Sequence, residues 1–420
     1  MTRSIQKLKD RAYRLLRWSE RYTKTDMVYL AKNSLWFISS QTFSVGLAFL
    51  MSMIFARYIP QDVYGNYKYI LTLASFLSGF SLSGLNTGIT RSVARGTEGV
   101  LRDGFRISLK WGSLITMLAF GSSIYYLCHG EVGIAIGLIA IGILTPIANS
   151  SGLWGSFLNG RKLFRQSFWM GALRGIFQAI VMIAVIYMTD SFVAMVIAYL
   201  ATDAFTDVLA YAYTIRRYRP NGLTDDRAIT YSKHLSLMGA INNISNTIDS
   251  ILTFNFLGPA MLAVYAFTIA IPDNITGLTK SIYTLTLPKF SRANHVDVLK
   301  MLRWKILLIT LTAAAVSLVY VVAAPYIFTY LLPRYIGAVF YTQIYSLNIV
   351  LAAAGTFPGV FLDSQLETKR KYTISIFSSV SKIVLMSILV FPFGLVGIIA
   401  AEMAVRACTL CIYYVLIRTM

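Results

Sequence analysis

The sequence is poor in the side chains that catalysis, metal binding and disulfide bonding require. Its 420 residues include three cysteines, three histidines and 18 acidic residues, against 38 lysines and arginines. Three cysteines provide no disulfide framework, and Cys408 and Cys411 lie in an apolar run where nothing nearby favours a thiolate. No GxxxxGK[ST] motif occurs, so ATP hydrolysis is not expected. We therefore predict no cofactor, no metal site and no enzymatic activity.

Apolar sequence, in contrast, is abundant. Hydrophobic residues make up 56% of the chain, charged residues only 13%, and the mean hydropathy is +0.62. Repeated runs of about 20 apolar residues are each long enough to cross a bilayer as a helix. The predicted fold class is an all-α polytopic membrane protein. The net charge of +20 lies mostly at the ends of these runs, so it does not indicate binding of nucleic acid.

Hydropathy predicts twelve transmembrane helices in two bundles of six. We expect an N-lobe at 34–215, a cytoplasmic linker at 216–232 and a C-lobe at 233–420. Residues 1–33 form either a basic amphipathic helix on anionic lipid or a solvated basic tail. Numbered one to twelve, the predicted spans are 34–58, 66–93, 107–128, 132–157, 167–189, 191–215, 233–257, 261–288, 302–331, 335–362, 372–391 and 394–417.

A repeat of about 200 residues relates the two lobes. The sequence Leu109–Trp111 opens span three, and the similar Leu302–Trp304 opens span nine. Similar pairs of segments close spans four and ten, and spans six and twelve. Because six spans per repeat is an even number, both lobes have the same orientation in the membrane. Their pseudo-two-fold axis then lies along the membrane normal, as in transporters whose site sits between two rocking bundles.

The basic residues predict the orientation of these spans. Thirty-one of them lie on the side that holds both termini, and three lie on the other side. By the positive-inside rule, both termini are cytoplasmic in the cell membrane. The loops on the opposite, outer side are a few residues long. This excludes the outer catalytic domain that polymerases and ligases of surface glycans generally need.

The first hairpin, Ala56–Gly96, carries a recognisable pattern. A short turn with proline is followed by two tyrosines and a helix rich in serine and glycine, which ends in arginine. A polar, glycine-interrupted helix of this kind suits a water-filled cavity rather than lipid. The stretch resembles the first-hairpin signature of Wzx-type polysaccharide flippases, the oligosaccharide-lipid branch of the multidrug/oligosaccharidyl-lipid/polysaccharide flippase superfamily. The matching residues are Arg57, Pro60, Tyr64, Gly65, Tyr67, Gly84 and Arg91.

The resemblance implies a carrier that moves a lipid-linked oligosaccharide from the cytoplasmic to the outer leaflet by alternating access. Its partners would be that glycolipid, anionic membrane lipids and the glycan polymerase or glycosyltransferases of the same route. The lipid II branch generally has fourteen spans, and this chain has twelve. Two other functions stay open: a drug/cation antiporter of the same superfamily, and a scaffold of a glycan-synthesis complex that transports nothing. Span one contains no acid, unlike that of many bacterial antiporters, and a scaffold has no need of polar helix faces.

Spans one, two, seven and eight are the polar or interrupted ones, and they occupy corresponding places in the two lobes. Span eight contains the breakers Pro272 and Gly277. Polar contacts that merely hold helices together are the alternative to a pathway, although each adds only about 0.6 kcal/mol. The candidate substrate-binding residues on these spans are Gln41, Asn86, Asn243 and Asn246.

Three cations inside the spans are candidates for capturing the diphosphate: Arg174, Lys280 and Lys382. A charge inside the membrane should face a cavity, pair with an acid or reach the interface. Asp249 lies farther toward the outer side, where it would favour release or coupling. The alternative is a structural Asp249–Lys280 pair between spans seven and eight. Arg406 lies four residues after Glu402, which predicts a structural ion pair.

The topology has a direct test. In a variant without Cys128, Cys408 and Cys411, single cysteines replace Asp62, Asn221 or Pro333. A membrane-impermeant thiol reagent added to intact cells should label the cysteines at 62 and 333 but not the cysteine at 221. Labelling at 221 would overturn the predicted orientation.

Overall fold

The structure, a computed structural model, describes residues 27–290, 295–364 and 368–419. Within these residues the chain is almost entirely helical and contains no strand. Most of the predicted amphipathic segment 1–33 lies outside the described residues. The helical pattern follows from the long apolar runs, because only a helix satisfies its own backbone hydrogen bonds in hydrocarbon.

Twelve antiparallel helical passes, α1–α12, correspond to the twelve predicted spans. Their bounds are α1 Met27–Tyr58; α2 Gln61–Ser78 and Leu85–Ala94; α3 Val100–Cys128; α4 Val132–Ser151 and Trp154–Gly160; α5 Phe164–Met188; α6 Phe192–Tyr218; α7 Asp226–Leu257; α8 Pro259–Phe290; α9 His295–Leu331; α10 a 3₁₀ turn Pro333–Ala338, then Val339–Tyr345 and Leu347–Ser364; α11 and α12 the two parts of Thr368–Thr419. The last helix is divided at Gly394, whose φ of +55° only glycine adopts readily.

Two expectations about interruptions turn out differently. Span two is predicted as one helix, but α2 is interrupted at residues 79–84, where both the amide and the hydroxyl of Ser81 donate to the carbonyl of Ser78. Span eight is predicted to break at Pro272, yet α8 continues through it. Pro272 has no N–H for the carbonyl of Thr268, and the hydroxyl of Thr342 in α10 donates to that carbonyl at 2.7 Å.

The passes associate as two groups of six. In the first group α3 packs on α4, α4 on α6, α6 on α5 and α5 on α1; in the second, α7 and α8 pack together, and α10 contacts α8, α9 and the α11–α12 helix. Contacts between the groups run chiefly from α2 to α7 and α8. This confirms the predicted fold class. The exact domain boundaries stay predictions.

The two most polar passes lie between the lobes. Among the described residues, nine helices are long and apolar enough to span a membrane, and the last of these, Thr373–Ile417, contains both α11 and α12. α2 and α7 are not among them. They pack against each other along much of their length. The polar side chains at their contact thus face a protein interior rather than lipid.

One end of the molecule is closed by aromatic packing between the lobes. We call it the short-turn end, since it holds the tight turns at 59–60, 129–131 and 258; the opposite end is the basic end. Tyr64 of α2 stacks on Phe267 of α8 with ring centroids 5.0 Å apart, and Phe267 contacts Tyr335 of α10 at 4.1 Å. All three side chains are buried. We refer to this cluster as the aromatic seal.

The seal also involves close backbone approach. A Cβ on Gly65 would lie 1.9 Å from the carbonyl oxygen of Pro259, so only glycine allows α2 to approach the start of α8 this closely. Gln61 donates a hydrogen bond to the carbonyl of Arg334 at 2.5 Å. Farther along α2, Tyr69 stacks on Phe254 of α7 at 3.6 Å.

At the basic end, residues 219–225 are attached to the first lobe. Asn221 accepts a hydrogen bond from the Glu98 amide at 3.0 Å and donates to the Gly96 carbonyl at 2.8 Å, and the Gly99 amide donates to the Leu223 carbonyl. Arg161 donates two hydrogen bonds to Glu98, which lowers the pKa of that carboxyl. The first part of the predicted linker thus packs as an extension of the N-lobe.

The close packing at the aromatic seal predicts that one methyl group added at Gly65 lowers the stability of the protein. Gly65→Ala should destabilise the protein by about 1–3 kcal/mol, because the added Cβ forces the lobes apart. Thermal unfolding of the detergent-purified protein measures the change. Gly46→Ala in α1 is the matched control: its Cβ meets no atom within 4 Å, so its stability should be unchanged or higher. Equal stability of the two variants would show that α2 and α8 are not close-packed.

Candidate functional site

A polar chamber lies between α2 and α7, on the basic side of the aromatic seal. Its volume is about 290 Å³. Hydroxyl and amide side chains dominate its walls, which come mainly from α2, with contributions from α3, α4 and α7. The lining residues are Ser75, Ser78, Gly79, Ser81, Leu82, Ser83, Asn86, Ser108, Asn149, Leu153, Gly239 and Asn243.

Glycines hold the two polar helices close enough to form this chamber. A Cβ on Gly79 would lie 2.8 Å from the side-chain nitrogen of Asn243, and one on Gly239 would lie 2.6 Å from the hydroxyl of Ser83. Asn243 donates to the carbonyl of Ser75 at 2.5 Å across the lobe boundary. The chamber therefore depends on small residues at the contact and on polar residues beside it.

A second cavity of about 200 Å³ continues the chamber into the first lobe, between α2, α4 and α6. We call it the side pocket. It shares Ser75, Ser78 and Asn149 with the chamber. Its other polar wall residues include Thr145 and Asp203, and the remaining walls are mostly apolar.

Behind the side pocket, one arginine faces two acids. Arg174 of α5 forms an ion pair with Asp203 of α6 and a second one with Asp207 at 2.9 Å. Trp154 donates its indole N–H to Asp207 at 2.9 Å. Arg174 is therefore occupied by carboxylates of its own lobe, rather than free to face the space between the lobes.

The second lobe contains a larger buried network. Lys382 of α11 contacts Glu402 of α12 at 2.8 Å, and Arg406 contacts the other oxygen of Glu402 at the same distance. Asp249 accepts a hydrogen bond from Tyr265 at 2.7 Å. The ion pair predicted between Glu402 and Arg406 is present, and a second cation joins it.

The structure brings together only some of the predicted site residues. Asn86 and Asn243 line the chamber, whereas Gln41 and Asn246 are exposed and line neither cavity. Asp249, Arg174 and Lys382 lie in the networks described above. The side chain of Lys280 falls outside the part that the structure describes, so the alternative Asp249–Lys280 pair lies there too. The roles assigned to these residues stay predictions.

Sequence reasoning missed the residues that α3 and α4 contribute. Ser108, Thr145 and Asn149 lie in spans that look apolar, so their periodicity gave no signal of a cavity. Asn149 lies with Thr145, Ser150 and Ser151 at the end of a long apolar run, and a half-buried amide needs polar surroundings. The position of Asn149 in this helix was the feature of the sequence that could have indicated a cavity.

The chamber is built for hydrogen bonding rather than for covalent chemistry. Its hydroxyl and amide groups include both donors and acceptors. Within the described residues, no group of three or more histidine, cysteine or acidic side chains is arranged to hold a metal ion. The arrangement suits the binding of a polar, hydroxyl-bearing molecule.

Comparisons with known proteins place this chain in a family. A family model described as "Polysaccharide biosynthesis protein" matches residues 30–294, which is more than half of the sequence. A search of curated proteins finds no significant match.

Solved structures share the fold at low identity. The inward-facing conformation of a multidrug resistance MATE family transporter of the MOP superfamily is 15% identical, with a TM-score of 0.68 over 90% of this chain and 95% of that one. An outward-facing conformation of such a transporter is 16% identical, with a TM-score of 0.58 over 94% and 92%. A MOP superfamily transporter from Pyrococcus furiosus, described as having a binding pocket of reverse polarity, is 16% identical, with a TM-score of 0.55 over 93% of each chain. With the family match, this fold confirms the resemblance predicted from Ala56–Gly96.

The ion pair of the second lobe predicts a large loss of stability when it is broken. Lys382 and Glu402 are only 9% and 10% exposed, so Lys382→Met should leave a buried acid short of a partner and cost about 3–5 kcal/mol. The double change Lys382→Met/Glu402→Met should recover part of this, because Arg406 is 31% exposed and can reach water. Thermal unfolding in detergent measures both. Lys110→Met, at an exposed position, is the control; a Lys382→Met effect no larger than that of the control would contradict the assignment.

Proposed function

Since the chain belongs to the polysaccharide biosynthesis protein family, we propose that it is a flippase. Its substrate is a lipid-linked oligosaccharide, with polyprenyl diphosphate as the carrier. The protein moves this glycolipid from the cytoplasmic to the outer leaflet of the cell membrane for the synthesis of a surface polysaccharide.

The observation that carries this proposal is the lining of the chamber. Sugars present several hydroxyl groups, each of which donates and accepts hydrogen bonds, and a neutral wall of hydroxyls and amides matches them. The carbonyl oxygens of Asn149 and Asn243, both half-buried residues, form no hydrogen bond among the described residues. A buried or half-buried polar group without a partner is stabilised when a ligand supplies one.

The aromatic seal supports a mechanism of alternating access. The chamber lies between the lobes and is separated from the short-turn end by Tyr64, Phe267 and Tyr335. In the proposed cycle the sugar enters the chamber from the basic end while the polyprenyl tail stays in lipid. Rocking of the two lobes then parts the seal and closes the basic end.

The placement in the cell follows from the charge distribution. We propose that the basic end and both termini face the cytoplasm, against anionic lipid, and that the short-turn end faces outward. Glycosyltransferases that build the glycan would supply the substrate on the cytoplasmic side, and a glycan polymerase would take it on the outer side.

Reconstituted vesicles test this function. The full-length protein is incorporated in vesicles that contain a fluorescent polyprenyl-diphosphate disaccharide, and transport is read from the exposure of the label to a membrane-impermeant quencher. Asn86→Leu and Asn149→Leu should each reduce transport about tenfold or more, since an unmatched polar group of the bound sugar costs binding energy. Thr312→Val is the control, because this exposed hydroxyl of α9 bonds only carbonyls of its own helix.

Two results would contradict the proposal. Wild-type vesicles that do not move the glycolipid faster than protein-free vesicles would exclude a flippase. If the same vesicles instead accumulate a fluorescent organic cation such as ethidium under a proton or sodium gradient, the protein is an antiporter of the superfamily.

A further inference from the structure

We infer that the side pocket binds one uncharged sugar residue of the glycan and that Asp203 excludes acidic sugars from it. This inference rests on the proposed flippase function and specifies the substrate that it accepts. It concerns the part of the glycan that enters the first lobe, between α2, α4 and α6.

The side pocket is the size of one sugar ring. Its volume of about 200 Å³ lies below the range of about 300–1,000 Å³ that is usual for drug-sized ligands. It opens from the larger chamber through the shared residues Ser75, Ser78 and Asn149. A chain of sugars held in the chamber can therefore place a single residue in the side pocket.

The side pocket contains a buried hydroxyl group that has no hydrogen-bond partner. The hydroxyl of Thr145 forms no hydrogen bond, although Thr145 is only 7% exposed. Most buried hydroxyls in proteins are bonded, and leaving one without a partner destabilises the folded protein. A sugar hydroxyl in the side pocket would satisfy it. The apolar walls, which include Leu144 and Leu200, suit the C–H faces of a sugar ring.

The charge of the side pocket disfavours an anion. Asp203 is the one charged side chain among the described residues that line it. The nearest cation, Arg174, divides its guanidinium between Asp203 and Asp207. One guanidinium that faces two carboxyl groups has no positive charge to spare for a third. A uronic acid in this position would place its carboxylate beside Asp203, and like charges at close range repel strongly in a poorly solvated site.

The chamber next to the side pocket contributes no cation that would offset the charge of Asp203. None of the described residues that line the chamber carries a charge. The diphosphate of the substrate must therefore bind elsewhere, toward the basic end, while the sugar portion occupies the chamber and the side pocket. The specificity that follows is for neutral sugars, and the proposed flippase should move a neutral glycan in preference to an acidic one.

Two glycolipids that differ by one group test this inference. The probes are two polyprenyl-diphosphate disaccharides, one with a terminal glucose (the glucose lipid) and one with a terminal glucuronic acid, which differ only in a hydroxymethyl group and a carboxylate. Binding to the purified full-length protein in nanodiscs is measured for both. Wild-type protein should bind the glucose lipid about tenfold or more tightly.

Substitutions assign the effect to the side pocket. Asp203→Asn should reduce the preference to about twofold or less while the glucose lipid binds nearly as before, because the repulsion is removed; Arg174 keeps its pairing with Asp207. Thr145→Val, which keeps the shape and removes the hydroxyl, should weaken binding of both lipids about threefold to tenfold. Asp273→Asn in α8 is the matched control, since this acid lines neither cavity.

The outcomes separate the two proposals. If neither lipid binds, the flippase function is wrong and the inference fails with it. If both lipids bind equally well, the function stands and only the inference is wrong. A preference that persists unchanged in a folded Asp203→Asn protein, or that is lost equally in Asp273→Asn, would also overturn the role of the side pocket.

Discussion

The contact between α2 and α7 is the constraint on which the rest of the structure depends. Both passes are too polar to face hydrocarbon, and each provides the other with a surface that lipid cannot. The lobes must therefore meet along these two helices. Gly79 and Gly239 allow the backbones to approach, and the hydroxyl and amide groups beside them are left facing a shared space. The chamber is a direct consequence of burying two polar helices together.

Within each lobe, charged side chains at membrane depth are paired with one another. Arg174 is balanced by Asp203 and Asp207, and Lys382 shares Glu402 with Arg406. Isolated charges at membrane depth are costly, so pairing stabilises each lobe as a unit. It also leaves the chamber without charge among the described residues that line it, although the chain as a whole has a net charge of +20. A basic protein thus presents a neutral, hydroxyl-rich interior.

Much of this architecture follows from local sequence. The helical class, the number of passes and the identity of the polar ones depend on the composition of runs of about 20 residues. The first-hairpin pattern led to the family, and the Glu402–Arg406 pair follows from helical spacing. The break in α2 and the continuity of α8 do not follow in this way. At the break in α2 the amide and the hydroxyl of Ser81 both donate to the Ser78 carbonyl, and in α8 the hydroxyl of Thr342, from a distant pass, donates to the carbonyl of Thr268.

By itself, the sequence determined that this protein crosses the membrane many times in two similar halves, because transfer of apolar side chains to lipid is a property of each segment alone. Tertiary structure decided which polar residues share a space. Asn149 and Thr145 join Ser75 in the side pocket although about 70 residues of chain lie between them. Tertiary structure also decided which charges are paired. Spacing along the chain identifies a partner on the same helix, but Arg174 and Lys382 each pair with an acid on another helix. Two side chains on different helices can pair only when both helices have the right rotation about their axes and the right depth in the membrane, and these are determined by packing.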